Sequence, residues 1–216
     1  MESRLSAQLA ERLRSETRAL HTAAERSAFM GALLRGRLQQ RAYCALLRNL
    51  HAIYAALEPA LKRHAAHPLI SPVVIEGMWR CEALQHDLRM LHGDTWQTDL
   101  VLEPAATRYV SRLLEIDANR PAHLLAHAYV RYLGDLSGGQ MLRRVVAGGM
   151  PWDAAGAVAF YDFGDALETA ELTRAFREGL ARLQADDEQV DSIVDEAKEA
   201  FRLHCNLFDE LGIRWG

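Results

Sequence analysis

Tyr129-Val-Arg-Tyr-Leu-Gly-Asp-Leu-Ser-Gly-Gly-Gln140 is the stretch on which the reading of this chain turns. Leu124, Leu125, Ala128, Tyr132, Leu133 and Leu136 carry helical spacing into it, and Met141, Leu142, Val145 and Val146 resume the pattern beyond it. Gly134, Gly138 and Gly139 stand in the middle. A glycine inside a helix costs about 1 kcal/mol against alanine, so three cost about 3 kcal/mol. Such a cost is intelligible where something must lie close against the backbone. Gly134 and Gly138 are four apart, as are Asp135 and Gly139, which gives one helix surface of bare backbone holding a single carboxylate. A flat, bulky ligand suits that surface.

Another reading makes Ser-Gly-Gly a loop between two helices, with Gly138 as a C-terminal cap. A third is excluded by context. Leu136-Ser-Gly-Gly-Gln140 matches the signature peptide of ABC-type ATPases, yet no glycine in the chain is followed by lysine, so the phosphate loop those enzymes require is missing.

The remainder of the chain agrees with a helical protein. With 14 glycines and 6 prolines among 216 residues, and 3.6-residue periodicity nearly throughout, it reads as all-α. Helices are expected at about 4–25, 27–34, 38–64, 70–92, 99–116, 121–146, 153–183 and 187–211. Half the residues are apolar, enough for one compact domain over residues 1–216. A net charge of −4, without any dense basic run, argues against a nucleic-acid partner. Cys44, Cys81 and Cys205 form no CxxC and fall in apolar helical patterns, as reduced packing residues of a cytoplasmic protein do. The charged N-terminus is unlike a signal peptide, and no apolar run approaches the roughly 18 residues of a membrane span. A soluble, cytoplasmic protein is expected.

Outward from the central stretch, the first helix has two faces. Leu5, Leu9, Leu13 and Leu20 form an apolar stripe, while Arg14, Arg18, His21 and Glu25 fall within about 60° of one another elsewhere. That polar line is either a solvated face or a site. In the second case His21 supplies a ligand to a metal cofactor whose carboxylates meet Arg14 and Arg18, and haem has that shape. Tyr54, at a core position of the next long helix, either packs or reaches Asp135 through a hydrogen-bond network. Residues 70–92 read as scaffold. His123 and His127 are four apart without the glutamate of a metalloprotease, and read as surface or core histidines. No Glu-x-x-His motif supports a di-iron bundle. Arg174 and Arg177 lie on a polar side, as solvated residues would.

Taken together, these segments resemble the haem oxygenase family. Leu13-Arg-Ser-Glu-Thr-Arg-Ala-Leu-His-Thr-Ala-Ala-Glu-Arg-Ser-Ala-Phe-Met30 is similar to its proximal helix, and Tyr129 to Gln140 is similar to its distal helix. Leu50-His-Ala-Ile-Tyr-Ala-Ala-Leu-Glu58, Glu196-Ala-Lys-Glu-Ala-Phe201 and Asn206-Leu-Phe-Asp-Glu-Leu211 match further family segments, so the resemblance spans about residues 5 to 211.

The resemblance implies a haem-oxygenase-like helical bundle with haem between the proximal helix and a glycine-kinked distal helix. It implies His21 as the axial ligand to haem iron, Glu25 as its orienting carboxylate, and Arg14, Arg18, Arg177 and Tyr129 at the haem propionates. Thr173 stands where some members have a lysine. Phe201 and Phe208 correspond to aromatic residues near the haem, and Tyr54 to a tyrosine of the distal water network. Gly134, Gly138 and Gly139 would let the distal helix lie close over the porphyrin, while Asp135 would organise hydrogen bonds that deliver protons. Haem b would then be substrate and cofactor at once, opened with O₂ to biliverdin, in the IXα isomer, with CO and ferrous iron. No flavin, nicotinamide or iron–sulfur motif is present, so electrons would come from a separate ferredoxin- or flavoprotein-type partner. The resemblance is to bacterial members, without the C-terminal membrane anchor of eukaryotic ones. A haem carrier and a cofactor-free helical partner-binding protein are the rival readings.

Overall fold

A computed structural model describes residues 2–154 and 156–215, with side chains from residue 9 onward, so Leu5 of the expected stripe lies outside the described side chains. Among the described residues every regular element is helical: α1 (Glu2–Glu25), α2 (Ala28–Leu34), α3 (Gln40–Arg63), α4 (Cys81–His92), α5 (Trp96–Asp99), α6 (Pro104–Asn119), α7 (Leu124–Gly149), α8 (Ala166–Arg182) and α9 (Asp187–Trp215), with three short 3₁₀ turns at Ser71–Val73, Pro121–His123 and Ala159–Tyr161.

Local chemistry explains several boundaries. The Ser27 hydroxyl accepts from Met30 N–H at the start of α2. Asp165 and Glu168 form a reciprocal capping box at the start of α8. Pro104 occupies the first turn of α6, where its missing N–H costs nothing. Leu9 and Leu13 are fully buried on α1, which packs on α9 and α8. The central element is α7, packed by α9, α3 and the 159–161 turn, and buried residues occupy most of its circumference. Both α1 and α7 rest on α9, and an open cleft separates them.

Two expected helices are shorter than the sequence suggested. Residues 70–92 form a helix only from Cys81, because Pro72 closes a 3₁₀ turn and Gly77 adopts φ +90°. Residues 153–183 form one only from Ala166, after Gly156 and Gly164 at φ +85° and +91°. Apolar residues there keep helical spacing because they reach the core, although their backbone is irregular. That backbone is tied down by side chains. Asp87 accepts from Ala159 and Phe160 N–H at 2.9 and 2.8 Å, and the Arg80 guanidinium donates to the Asp162 carbonyl at 2.7 Å. Trp152 Nε1 donates to the Leu38 carbonyl at 2.8 Å. The segment read as plain scaffold therefore holds the turn that covers α7. The helix expected at 99–116 runs instead from Pro104 to Asn119, the short α5 was not foreseen, and α7 continues through its glycines to Gly149. The loop reading of Ser137-Gly-Gly139 is thereby excluded.

Candidate active site

The cleft between α1 and α7 has two joined lobes. The outer one, about 1000 Å³, is bordered by Arg14, Arg18, His21, Tyr129, Gly134 and Arg177. The inner one, about 140 Å³, is bordered by His21, Arg131, Gly134, Asp135, Gly138 and Phe208, with Leu33, Leu46 and Leu50 among its apolar walls. His21, Gly134, Ser137 and Phe201 border both. One imidazole on α1 and one bare strip of α7 thus face the same space.

On the α1 wall the polar line is brought together as the spacing demands. His21 is half-exposed, its Nδ1 is 3.6 Å from Glu25 Oε2, and Phe201 meets its ring edge-on at 5.8 Å between centroids. Arg14, Arg18 and Arg177 have no carboxylate partner among the described residues. Tyr129 is half-buried beside them. Burial pushes its phenol up, opposed first by a hydrogen bond with Thr17 and then by the charges of Arg14 and Arg177. A rim of three guanidiniums without a carboxylate partner among the described residues, in a chain of net charge −4, suits an anionic ligand edge.

On the α7 wall the glycines divide. A Cβ added at Gly134 would meet nothing within 4 Å, and one at Gly138 only the Leu142 side chain at 3.8 Å. These two leave open space at the cleft. Gly139 turns away from it: its Cβ would stand 3.5 Å from the Tyr161 carbonyl oxygen and 3.9 Å from the Phe163 ring. The close approach at Gly139 is to the protein's own covering turn, and the expected haem-facing position is corrected accordingly. The 100° step per residue places Gly134 and Gly138 on the cleft side and Gly139 beyond its edge.

Asp135 lies deeper. Tyr54 donates its hydroxyl proton to Asp135 Oδ2, and Arg131 Nη2 donates to Oδ1 at 3.0 Å. The network alternative for Tyr54 is therefore the observed one, although Tyr54 is also fully buried and in ring contact with Tyr132 and Phe160. Burial pushes the Asp135 carboxyl up, against the opposing effect of Arg131 and the Tyr54 hydrogen bond. Burial also pushes the Tyr54 phenol well up, which keeps it a donor. Arg131 Nη1 in turn meets the His204 ring at 3.1 Å. Neither Arg131 nor His204 was singled out in the sequence. Arg131 stands one turn before Asp135, and that spacing was the available signal.

Beyond this network α7 and α9 share a second buried cluster. Glu196 accepts from Arg112 and sits 3.2 Å from His123 Nδ1 and 3.0 Å from His127 Nε2. His123 and His127 are core histidines, as one of the two readings held.

A planar ligand fits the cleft. It could slide between His21 and the Gly134–Gly138 strip, bury its apolar body against Leu46, Leu50 and Phe208, and leave carboxylates at Arg14, Arg18 and Arg177. Fold and site define a helical bundle whose imidazole-lined interhelical cleft takes a flat ligand with an anionic edge. The family model described as Heme oxygenase matches residues 7–210. Heme oxygenase 1 of Nostoc sp. is 36% identical over 207 residues, 96% of this chain and 87% of that protein. The crystal structure of heme oxygenase-1 from the cyanobacterium Synechocystis in complex with heme has a TM-score of 0.87 at 33% identity, covering 94% of this chain and 91% of that one. The structure of heme oxygenase from Leptospira interrogans has a TM-score of 0.88 at 33% identity, with 94% and 98% covered. The chain belongs to the haem oxygenase family, whose reaction is the opening of the haem ring to biliverdin.

Proposed function

We propose that the chain is a haem oxygenase working at the α1–α7 cleft, where His21 would bind the haem iron. Haem is its substrate and prosthetic group, and the ring is opened to biliverdin. The observation that carries the reading is the juxtaposition of His21 and the Gly134–Gly138 strip across one cleft, with Asp135 behind that strip. Bound haem would supply the iron at which O₂ is reduced and the macrocycle that is oxidised.

The chain's own residues supply four things. His21 holds the ligand, with Glu25 at 3.6 Å to bias the ring orientation. Arg14, Arg18, Arg177 and Tyr129 would hold its carboxylates and so orient it in the cleft. The Gly134–Gly138 strip excludes side chains from the distal face, and Phe201 and Phe208 exclude water. Asp135 holds or yields a proton at Oδ1 or Oδ2, with Tyr54 and Arg131 as its donors. A carboxyl displaced upward by burial exchanges protons closer to neutrality than an ordinary one. A haem carrier would need neither this buried carboxyl nor the open glycine strip.

The finer features rest on the same residues. The arginine set supports cleavage to the IXα isomer, with CO and ferrous iron released. Electrons come from a separate ferredoxin- or flavoprotein-type donor, since the sequence carries no flavin or nicotinamide motif. Among the described residues no helix is long and apolar enough to cross a membrane. Free Cys44, Cys81 and Cys205 support a cytoplasmic location, and one continuous buried core supports a single domain over residues 1–216.

An absorption titration with hemin tests the reading, followed by ascorbate in air with catalase present. A stoichiometric Soret band that decays as biliverdin absorbance rises is expected. A Soret band that persists with several electron donors would favour the carrier, and chromatography showing mostly another isomer would overturn the IXα assignment.

A further inference from the structure

A second imidazole borders the cleft, and the mechanism above gives it no task. His204, on α9, lines the inner lobe together with His21, Arg131 and Asp135. Its ring is buried and stands edge-on to Phe208, with centroids 4.2 Å apart. Arg131 Nη1 lies 3.1 Å from its Nδ1 and 3.2 Å from its Nε2. A guanidinium has five donors and no acceptor, so a hydrogen bond here needs the one lone pair of a neutral imidazole, on whichever nitrogen its tautomer leaves free. His204 must therefore be neutral. Burial, followed by the charge of Arg131 and the proximity of His21, pushes its pKa well down, in the same direction.

Arg131 is the joint between the two helices. Nη2 donates to Asp135 at 3.0 Å, the cation stands 5.4 Å from the centre of the Tyr54 ring, and Nε has no partner. Among the described residues, Asp135, His204 and the Tyr54 hydroxyl hold the guanidinium. Asp135 is on the same helix one turn away, a contact that several rotamers of a long side chain can satisfy. The contact from α9 selects among them. Without it, Arg131 could swing toward the open cleft, where water would satisfy Nη1 and Nε together.

We propose that neutral His204 is a positioning residue for ring opening: by accepting from Arg131 across the α7–α9 interface, it keeps the guanidinium on the Asp135 carboxyl. The inference rests on the reading of Asp135 as the proton-holding group of the distal side.

Two variants of the full chain test it. His204→Leu removes the acceptor and keeps much of the volume, whereas His204→Asn keeps an acceptor oxygen. In the haem-free protein, carboxyl-carbon NMR reads the titration midpoint of Asp135. His204→Leu should raise that midpoint by about one unit as the cation is lost. In the haem-loaded protein, kcat should fall roughly tenfold while KM for haem stays within about threefold. His204→Asn should restore both readouts.

An unchanged Asp135 midpoint in His204→Leu would overturn the proposal, and so would equal losses in both variants. Disappearance of the Soret band in His204→Leu would also overturn it, making His204 an iron ligand instead. Should His204→Leu not fold, ring-nitrogen NMR of the unsubstituted chain decides: a neutral, hydrogen-bonded ring at pH 7 is expected, and an imidazolium would overturn the proposal. Failure of the underlying reading looks different. Full turnover by Asp135→Ala would remove the proton role, while a moved midpoint in His204→Leu would still establish the positioning contact.

Discussion

Two buried carboxyls sit against α7, and their surroundings drive them in opposite directions. Glu196 faces two imidazoles and a guanidinium. Burial alone would raise its pKa, but the hydrogen bonds from His123, His127 and Arg112 outweigh that and hold it far below the ordinary range. Asp135 faces one guanidinium and one phenol, and there burial prevails. The first is a fixed anion, bracing α6, α7 and α9 where they meet. The second is a carboxyl whose charge can change. Both are buried, and what separates a brace from a reactive group is the number of donors around it.

The largest effect should follow from removing the brace. Glu196→Ala leaves two buried imidazoles without their shared carboxylate and Arg112 with Glu115 alone, and breaking such a cluster costs about 3–5 kcal/mol. Thermal unfolding should show a fall on the order of 10 °C, at 2–4 °C per kcal/mol for a chain of this size. Ring opening per folded molecule should be retained. A stable Glu196→Ala protein that failed to turn over haem would abolish the distinction between the two carboxyls.

Stability against pH should then separate them by sign. Glu196 has a depressed folded pKa, so its contribution is complete above the unfolded value of about 4.3 and is lost as pH falls below it. Asp135 has a raised folded pKa, so the folded state binds the extra proton, and stability is lost as pH rises from about 3.9 through that pKa. Relative to wild type, Glu196→Gln should therefore lose its disadvantage toward acid pH. Asp135→Asn should gain relative stability as pH rises. Melting temperatures measured from pH 3 to 8 would show curves of opposite slope, and parallel curves would contradict the comparison.

A smaller effect is expected at Tyr54. Tyr54→Phe removes one of two donors to Asp135 and leaves Oδ2 short of a partner. The rate of biliverdin formation should fall about three- to tenfold, equivalent to roughly 1 kcal/mol. Its pH profile should move upward, because the phenol hydrogen bond lowers the Asp135 pKa in the intact protein. A profile that stayed in place would mean that Asp135 is not the titrating group.

Much of this was legible in the chain. Period-3.6 faces announced the helices, and the 100° step put Arg14, Arg18, His21 and Glu25 on one line that the structure turns to the cleft. Asp135 and Tyr54 could be paired in advance as one alternative. Arg131 and His204 could not, because each is one polar residue among several on its helix. Their roles depend on how α7 crosses α9, which no local pattern encodes. Gly139 was misplaced for a related reason: the residues it meets, Tyr161 and Phe163, arrive on an irregular segment read as helix. Glu196 was seen only as part of a matching segment, since the sequence gives no sign that His123 and His127 converge on it.

The account stands most directly on Asp135→Ala, examined for two quantities in one preparation: affinity for hemin, and the single-turnover rate of biliverdin formation. Because His21, the arginine rim and the Gly134–Gly138 strip are untouched, affinity should stay within about threefold of wild type. Loss of the proton-holding carboxyl should cut the rate at least about 100-fold. A wild-type rate with hemin still bound would contradict the assignment of Asp135, and with it the division of labour between the two buried carboxyls.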